Sequence, residues 1–173
     1  MKLTNNRALA GMWDPDMRTA LENLLPPKVG YMFPGPPQGE VVTALHPETR
    51  MQLIAGDDIG AVACAAFNSP ATFSGKTIEL AVEGLTMAQI AETLSRVLGV
   101  KVIVASVLPD NVVKRGLMPG WVRTQELRNE AGYRVDIDAL ESWNIAQTSF
   151  EPWARKHRSD IVTCLASSPG QKR

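Results

Sequence analysis

The chain has 173 residues, long enough to bury a core of its own, since domains of this size remove roughly two-thirds of the unfolded surface from water. Its 18 Lys and Arg balance 18 Asp and Glu, so no overall field draws it to nucleic acid or to an anionic membrane, and neither partner is expected. Cys64 and Cys164 belong to no Cys-x-x-Cys or Cys/His cluster, which argues against a disulfide framework or a metal site. Met1–Gly11 has no continuous apolar stretch like that of a signal peptide, and no window approaches the ~18 apolar residues of a membrane span. A soluble, cytoplasmic protein with free thiols is the expectation.

Residues 1–20 show no clean periodicity, although Asp14-Pro15 can open a helix through Met17, Ala20, Leu21 and Leu24. From Pro26 to Gly39, five prolines and three glycines exclude regular structure and predict a loop that carries the apolar trio Tyr31, Met32 and Phe33. Val41–Leu45 and Met51–Ala55 read as strands on either side of the turn His46-Pro47-Glu48-Thr49-Arg50. Asp57-Asp58 is placed to cap a helix whose buried face is Ile59, Val62, Ala63, Ala66 and Phe67.

Lys76–Val82 resumes a strand pattern, and Gly84 is expected to turn the chain. Thr86 and Gln89 form a capping box for a helix with the stripe Met87, Ile90, Ala91, Leu94 and Leu98, which Gly99 ends. Val100–Ala105 follows as a strand rich enough in Val and Ile to predict burial on both faces. Strand, helix, strand in this order predicts an α/β domain.

Two helices are expected between Pro109 and Gly132, then a short one from Asp136 through Leu140. Another starts at Ser149, with Phe150, Trp153, Ala154 and His157 on one face and Pro152 in its first turn. The basic run Arg155, Lys156, His157 and Arg158 falls at that helix's end, where cations complement the dipole. Ser159–Arg173 reads as a flexible tail.

Met51-Gln-Leu-Ile-Ala-Gly-Asp-Asp-Ile-Gly60 resembles the strand and "D-I-G" helix start of NmrA-like proteins, a branch of the atypical short-chain dehydrogenases. Leu21-Glu22-Asn23-Leu24 is similar to the end of that family's "F-M-E-N" segment. Gly75-Lys76-Thr77-Ile78-Glu79-Leu80 with Leu85-Thr86 and Leu98-Gly99 is similar to "G-K-x-I-x-L … L-T … L-G". Gly132-Tyr133 and Phe150-Glu151-Pro152-Trp153 match the later "G-Y" and "F-x-x-W" positions.

The resemblance implies an α/β fold: a partial Rossmann-like sheet with C-terminal helices, lacking the N-terminal nucleotide-binding βαβ unit. Residues 1–20 are unplaced, 21–158 form the substrate-side region, and 159–173 form the tail. The family's cofactor is NAD(P), held at a glycine-rich loop, G-x-x-G-x-x-G. None of the 13 glycines here has that spacing, and neither Tyr31 nor Tyr133 has Lys four positions later, as the Tyr-x-x-x-Lys pair of typical short-chain dehydrogenases requires.

The expectation is therefore a truncated relative, the substrate-side lobe of an NAD(P)H-dependent reductase and inactive alone. The alternative is a non-catalytic, redox-sensing regulatory module acting through a protein partner. Either would leave a sheet edge to be covered by a homo-oligomer or a separate Rossmann-containing chain.

By resemblance, Asn23 lies near the nicotinamide, where its amide can hold a ligand carbonyl or else bond local backbone. Tyr31, Met32 and Phe33 form either an apolar wall of a substrate pocket or a plug over the core. Trp121 either closes the substrate cleft or packs in the core. No catalytic residue is assigned. His46 lacks an orienting partner, Asp57 and Asp58 diverge as neighbours and serve as helix cap, and Cys64 reads as a small buried hydrophobe.

Overall fold

The computed structural model describes residues 2–5 and 39–166. Within them the strands are four residues long and pair in twos. β1 (Lys2–Asn5) runs parallel to β4 (Thr77–Leu80), β2 (Glu40–Thr43) parallel to β6 (Ile103–Ser106), and β3 (Arg50–Leu53) antiparallel to β5 (Glu83–Thr86). The helices are α1 (Gly56–Asn68), α2 (Pro70–Phe73), α3 (Met87–Leu98), α4 (Pro109–Lys114), α5 (Pro119–Ala131), α6 (Ile137–Glu141), α7 (Phe150–Lys156) and α8 (Arg158–Ala166). The mixed α/β character follows the sequence reading, and so does the order of elements from β2 onward except for α2, β5 and α8, which that reading does not contain.

The larger core joins β2, β3 and α3 to the later helices through residues such as Val42, Leu53, Ile90, Leu94, Leu117 and Trp153. A smaller one lies between α1 and β4, around Ile54, Val62, Phe73, Ile78 and Leu80. The pattern of β4 is strictly alternating: Ile78 and Leu80 are buried while Thr77 and Glu79 face water. That is the signature of a sheet covered on one face.

α3 forms as its sequence predicts. Thr86 Oγ1 accepts from the Gln89 amide at 3.2 Å and Gln89 Oε1 accepts from the Thr86 amide at 3.0 Å, a complete capping box. Gly99 closes the helix with φ +74°, and Met87, Ile90, Ala91, Leu94 and Leu98 are all buried, joined by Val97. Ser95 Oγ then accepts from the Val102 amide at 2.9 Å, tying the helix to the approach to β6.

Several expectations are corrected. Gly84 lies inside β5, where its carbonyl accepts from the Arg50 guanidinium at 2.6 Å, and the chain bends before it, at Ala81-Val82. Phe67 is 79 % exposed, because Val62 and Ala66, one turn apart, already fill the buried stripe of α1 and Phe67 lies about 100° round from Ala66. Cys64 is exposed too. β6 is not buried on both faces: Ile103 and Ser106 are exposed, while Val104 and Ala105, which point to opposite faces, are only partly buried against the core. The first part of the expected tail is helical, since α8 continues to Ala166.

Helix ends are capped largely from a distance. Ser149 precedes α7 but makes no side-chain cap; instead the Glu83 carboxylate, from β5, accepts from the Phe150 amide. At the other end of α3, Arg158 donates to the Val97 and Leu98 carbonyls at 3.0 and 3.2 Å. The basic run thus serves helix ends and acids: Arg155 bonds Glu151, Lys156 bonds Asp57 at 2.8 Å, and His157 stacks on Trp153 with ring centroids 4.8 Å apart.

Glu151 receives Arg96 of α3 at 2.6 Å as well as Arg155, and these two guanidiniums hold its carboxyl below the ordinary value of 4.5. The sign follows. A carboxylate lowered in the folded state adds stability above 4.5, and that contribution disappears as pH falls through the lowered value. Glu151→Gln should therefore lower the urea midpoint at pH 7, with the gap from wild type closing in the acid range below 4.5; a gap independent of pH would contradict the assignment.

Candidate functional site

In α/β folds, ligands gather where parallel strands end. Here β2 and β6 are the parallel pair within the larger core, and both end at the same side, Thr43 beside Ser106. Beyond Thr43 the chain enters Ala44-Leu45-His46 with no strand partner for its backbone groups. Helix α5 supplies them. Gln125 Oε1 accepts from Thr43 Oγ1 at 3.0 Å and from the Ala44 amide at 2.6 Å. Thr43 Oγ1 in turn accepts from the Leu45 amide at 3.1 Å.

One turn further along α5, Asn129 repeats the device. Its Oδ1 accepts from the His46 amide at 2.9 Å and from Thr49 Oγ1 at 2.8 Å, and its Nδ2 donates to the Ala44 carbonyl at 2.8 Å. Gln125 and Asn129 are four residues apart, hence on one helix face. Thr43 and Gln125 are buried, so this is a polar network inside the core with its members satisfied.

Trp121 stands one further turn toward the N-terminus of α5. It is buried in the larger core, and its indole Nε1 has no hydrogen-bond partner among the described residues. Arg128, near the other end of the helix, lays its guanidinium 4.7 Å over the Tyr133 ring, and its Nε is likewise buried, with no partner among the described residues. Burial pushes the Tyr133 phenol up to about 12, with the Arg128 charge pulling against it.

The other sequence candidates are placed elsewhere or lie outside the described residues. His46 is exposed in its turn, with Nδ1 3.6 Å from Glu48. Asp57 and Asp58 do not cap α1; Ala55 holds the cap position, and the two acids fall inside the first turn, favourably placed against the dipole. They diverge as expected. Asp57 points to Lys156, whose hydrogen bond and charge hold its carboxyl below the ordinary value, while buried Asp58 accepts from the Thr148 amide at 2.7 Å and from its hydroxyl at 3.0 Å. Asn23, Tyr31, Met32 and Phe33 lie outside the described residues. No His/Cys/Asp/Glu group among the described residues is arranged to hold a metal.

Gln125, Asn129, Arg128 and Tyr133 were not singled out as site residues by the sequence reading. The signal for the first two is their four-residue spacing on the face that also carries Trp121, but a buried Gln125 beside a half-buried Asn129 runs against the usual apolar-in pattern.

The NmrA-like family model matches residues 16–159. The chain belongs to the NmrA-like family. Solved structures agree on the fold. The chain is similar, at 18 % identity and a TM-score of 0.51, to a crystal structure of NmrA, a negative transcriptional regulator, in complex with NADP, covering 72 % of this chain and 45 % of that one. The same figures hold for a trigonal crystal form of NmrA in complex with NAD. The chain thus spans less than half the length of the NmrA structures it matches. No curated protein sequence matches it. Among the described residues, no helix of this family member is long and apolar enough to cross a membrane.

The Gln125 network gives a direct test. Gln125→Leu keeps the volume but removes the acceptor of a buried hydroxyl and a buried amide, each costing about 1–3 kcal/mol when left unmade. Urea unfolding should show a loss of about 2–4 kcal/mol, while the exposed neighbour Arg123→Gln on the same helix should cost under about 1 kcal/mol.

Proposed function

We propose that this chain is the substrate-side lobe of an NmrA-like NAD(P)-binding protein, that it does not turn over substrate by itself, and that the nucleotide is held by residues outside these 173. The observation that carries the reading is how the three longest helices among the described residues begin. A dinucleotide pyrophosphate needs free main-chain amides and small residues at a helix start. α1 opens on Asp57 and Asp58, which repel phosphate; α3 has its amides engaged by a capping box; α5 opens on Pro119, which has no N–H. Together with the lack of any G-x-x-G-x-x-G spacing in the sequence, this favours a ligand-side rather than a nucleotide-side role.

Within that role, Asn23, Tyr31, Met32, Phe33 and Trp121 are the residues expected on the substrate side, with Asn23 closest to the nicotinamide. The chemistry of the complete family fold is hydride transfer from a bound nicotinamide, where the protein orients cofactor and substrate. A regulatory, redox-sensing role through a protein partner is the second reading. It is favoured by the two NmrA structures above, each of a negative transcriptional regulator with a bound nicotinamide dinucleotide. Exposed Cys64, a free thiol, suits the reducing cytoplasm in either case.

The nucleotide-bearing partner is proposed to be a separate Rossmann-containing chain, and the strand edges are covered by that chain or by a further copy of this one. Short two-stranded sheets leave strand edges that such a partner would cover. Titrating NADPH while following the fluorescence of the four tryptophans should give no saturable change at micromolar concentration; saturable binding would overturn the placement of the nucleotide elsewhere. Light scattering should show an oligomer rather than a well-behaved monomer, and a stable monomer at all concentrations would count against the covered edge.

A further inference from the structure

We propose that Trp143–Thr148, between α6 and α7, is a strap over the smaller core that opens as one unit while the larger core stays folded, with Asp58 as its latch. The inference does not depend on the functional reading above.

It starts from a buried acid. Asp58 is 6 % exposed in the first turn of α1, and a carboxylate at that depth has to be matched by donors. Thr148 supplies them from far along the chain: its amide reaches Oδ2 at 2.7 Å and its hydroxyl reaches Oδ1 at 3.0 Å.

The stretch that carries Thr148 is otherwise thinly tied. From Ile145 to Thr148 the main chain makes no bond to main chain among the described residues, and it belongs to no helix or strand. Its other hold is apolar. Trp143 stacks on Phe73 with ring centroids 4.7 Å apart, Lys76 Nζ lies 4.8 Å from the centre of the same indole, and Ile145 packs on the same core. Trp143 and Ile145 are half-buried, so they roof the cluster of Ile54, Phe73 and Ile78 rather than fill it.

The two ends are anchored separately. Before the strap, α6 packs on β4; after it, Phe150 is buried in the larger core and the Glu83 carboxylate accepts from its amide. Asn144 bends the chain at φ +52°, in the left-handed region that asparagine tolerates better than most residues. A segment with few buried apolar contacts and no main-chain ladder, held between two anchored helices, has the makeup of one that opens below the free energy of global unfolding. Breaking the Thr148 bonds and lifting Trp143 uncovers the apolar surface between α1 and β4 and leaves α3 and Phe150 in place.

The plainer account is that Asp58 only satisfies a loop, and that loop and cores come apart together. The two accounts differ in how the strap answers a mutation in the larger core. A unit that opens by itself ignores such a change, because its closed and open states both keep that core.

The test is native-state hydrogen exchange by NMR on the whole chain, under conditions where exchange reports the opening equilibrium. The amides read are Asn144, which bonds the Glu141 carbonyl at 3.0 Å, Thr148, and Leu94 of α3. Corrected for intrinsic rates, the two strap amides should be protected in wild type yet exchange about tenfold or more faster than Leu94. Asp58→Asn should accelerate Asn144 and Thr148 by a common factor of about five or more, although Asp58 bonds Thr148 and not Asn144. Ile90→Val, in the larger core, should accelerate Leu94 and leave both strap amides unchanged. Should Asp58→Asn fail to fold, Thr148→Ala, which removes the hydroxyl's bond, decides by the same criterion at Asn144 with a smaller factor. Strap amides without protection in wild type, an acceleration by Ile90→Val equal to that of Leu94, or a response to the latch variant confined to Thr148 would overturn the strap.

Discussion

Backbone groups that no strand partner reaches must still find hydrogen bonds, and in this protein side chains from distant elements supply them. Sheets of two short strands leave many such groups. Gln125 and Asn129 hold the segment leaving β2, and Gln52 both donates to the Val135 carbonyl at 2.6 Å and accepts from its amide at 3.1 Å. Asp58 receives the Thr148 amide, Glu83 the Phe150 amide, and Arg158 closes the carbonyl end of α3. Each bond satisfies a main-chain group and, in the same act, fixes the position of one element against another far along the chain.

That economy makes the fold depend on polar residues at buried or half-buried positions. A ladder bond survives most side-chain changes, since main chain makes it; a bond to Gln125 or Asp58 does not. The exposed pairs around α7, Arg96–Glu151, Arg155–Glu151 and Lys156–Asp57, add alignment but are screened by water, so their share is small. Packing of Phe150 and Trp153, both buried in the larger core, is what seats α7, and the capping acid Glu83 sets where the helix begins.

What the sequence discloses follows the same division. The capping box at Thr86 and Gln89, the C-cap at Gly99 and the stripe of α3 are local, written within one or two turns, and the structure reproduces them. The short helix after Asp136 is equally local: Asp136 Oδ1 accepts from the Ala139 amide at 3.3 Å. The errors arise where partners are distant. Asp58 looks like a cap until Thr148 is brought to it, and Ser149 looks like one until Glu83 takes its place.

Gln125 is the hardest case for a reader of sequence, since only the fold shows that a strand end lies against it, while Leu127 beside it is 45 % exposed. Family membership was legible from scattered motifs because they mark turns and helix starts, which are local too. Of the residues the resemblance singled out for ligand contact, Trp121 falls within the described part of the chain.

The side chains of α5 divide into those that the fold uses and those that it does not. Gln125 and Asn129 spend their hydrogen-bonding capacity on the protein itself, so they are explained by the fold. Trp121 Nε1 and Arg128 Nε, seven residues apart and therefore on the same side of the helix, are buried donors without an acceptor among the described residues. An unused buried donor costs stability, so a helix that satisfies backbone so thoroughly elsewhere gains nothing structural by carrying two of them. Arg128 differs from Trp121 in adding a charge and a stacked ring that orients it.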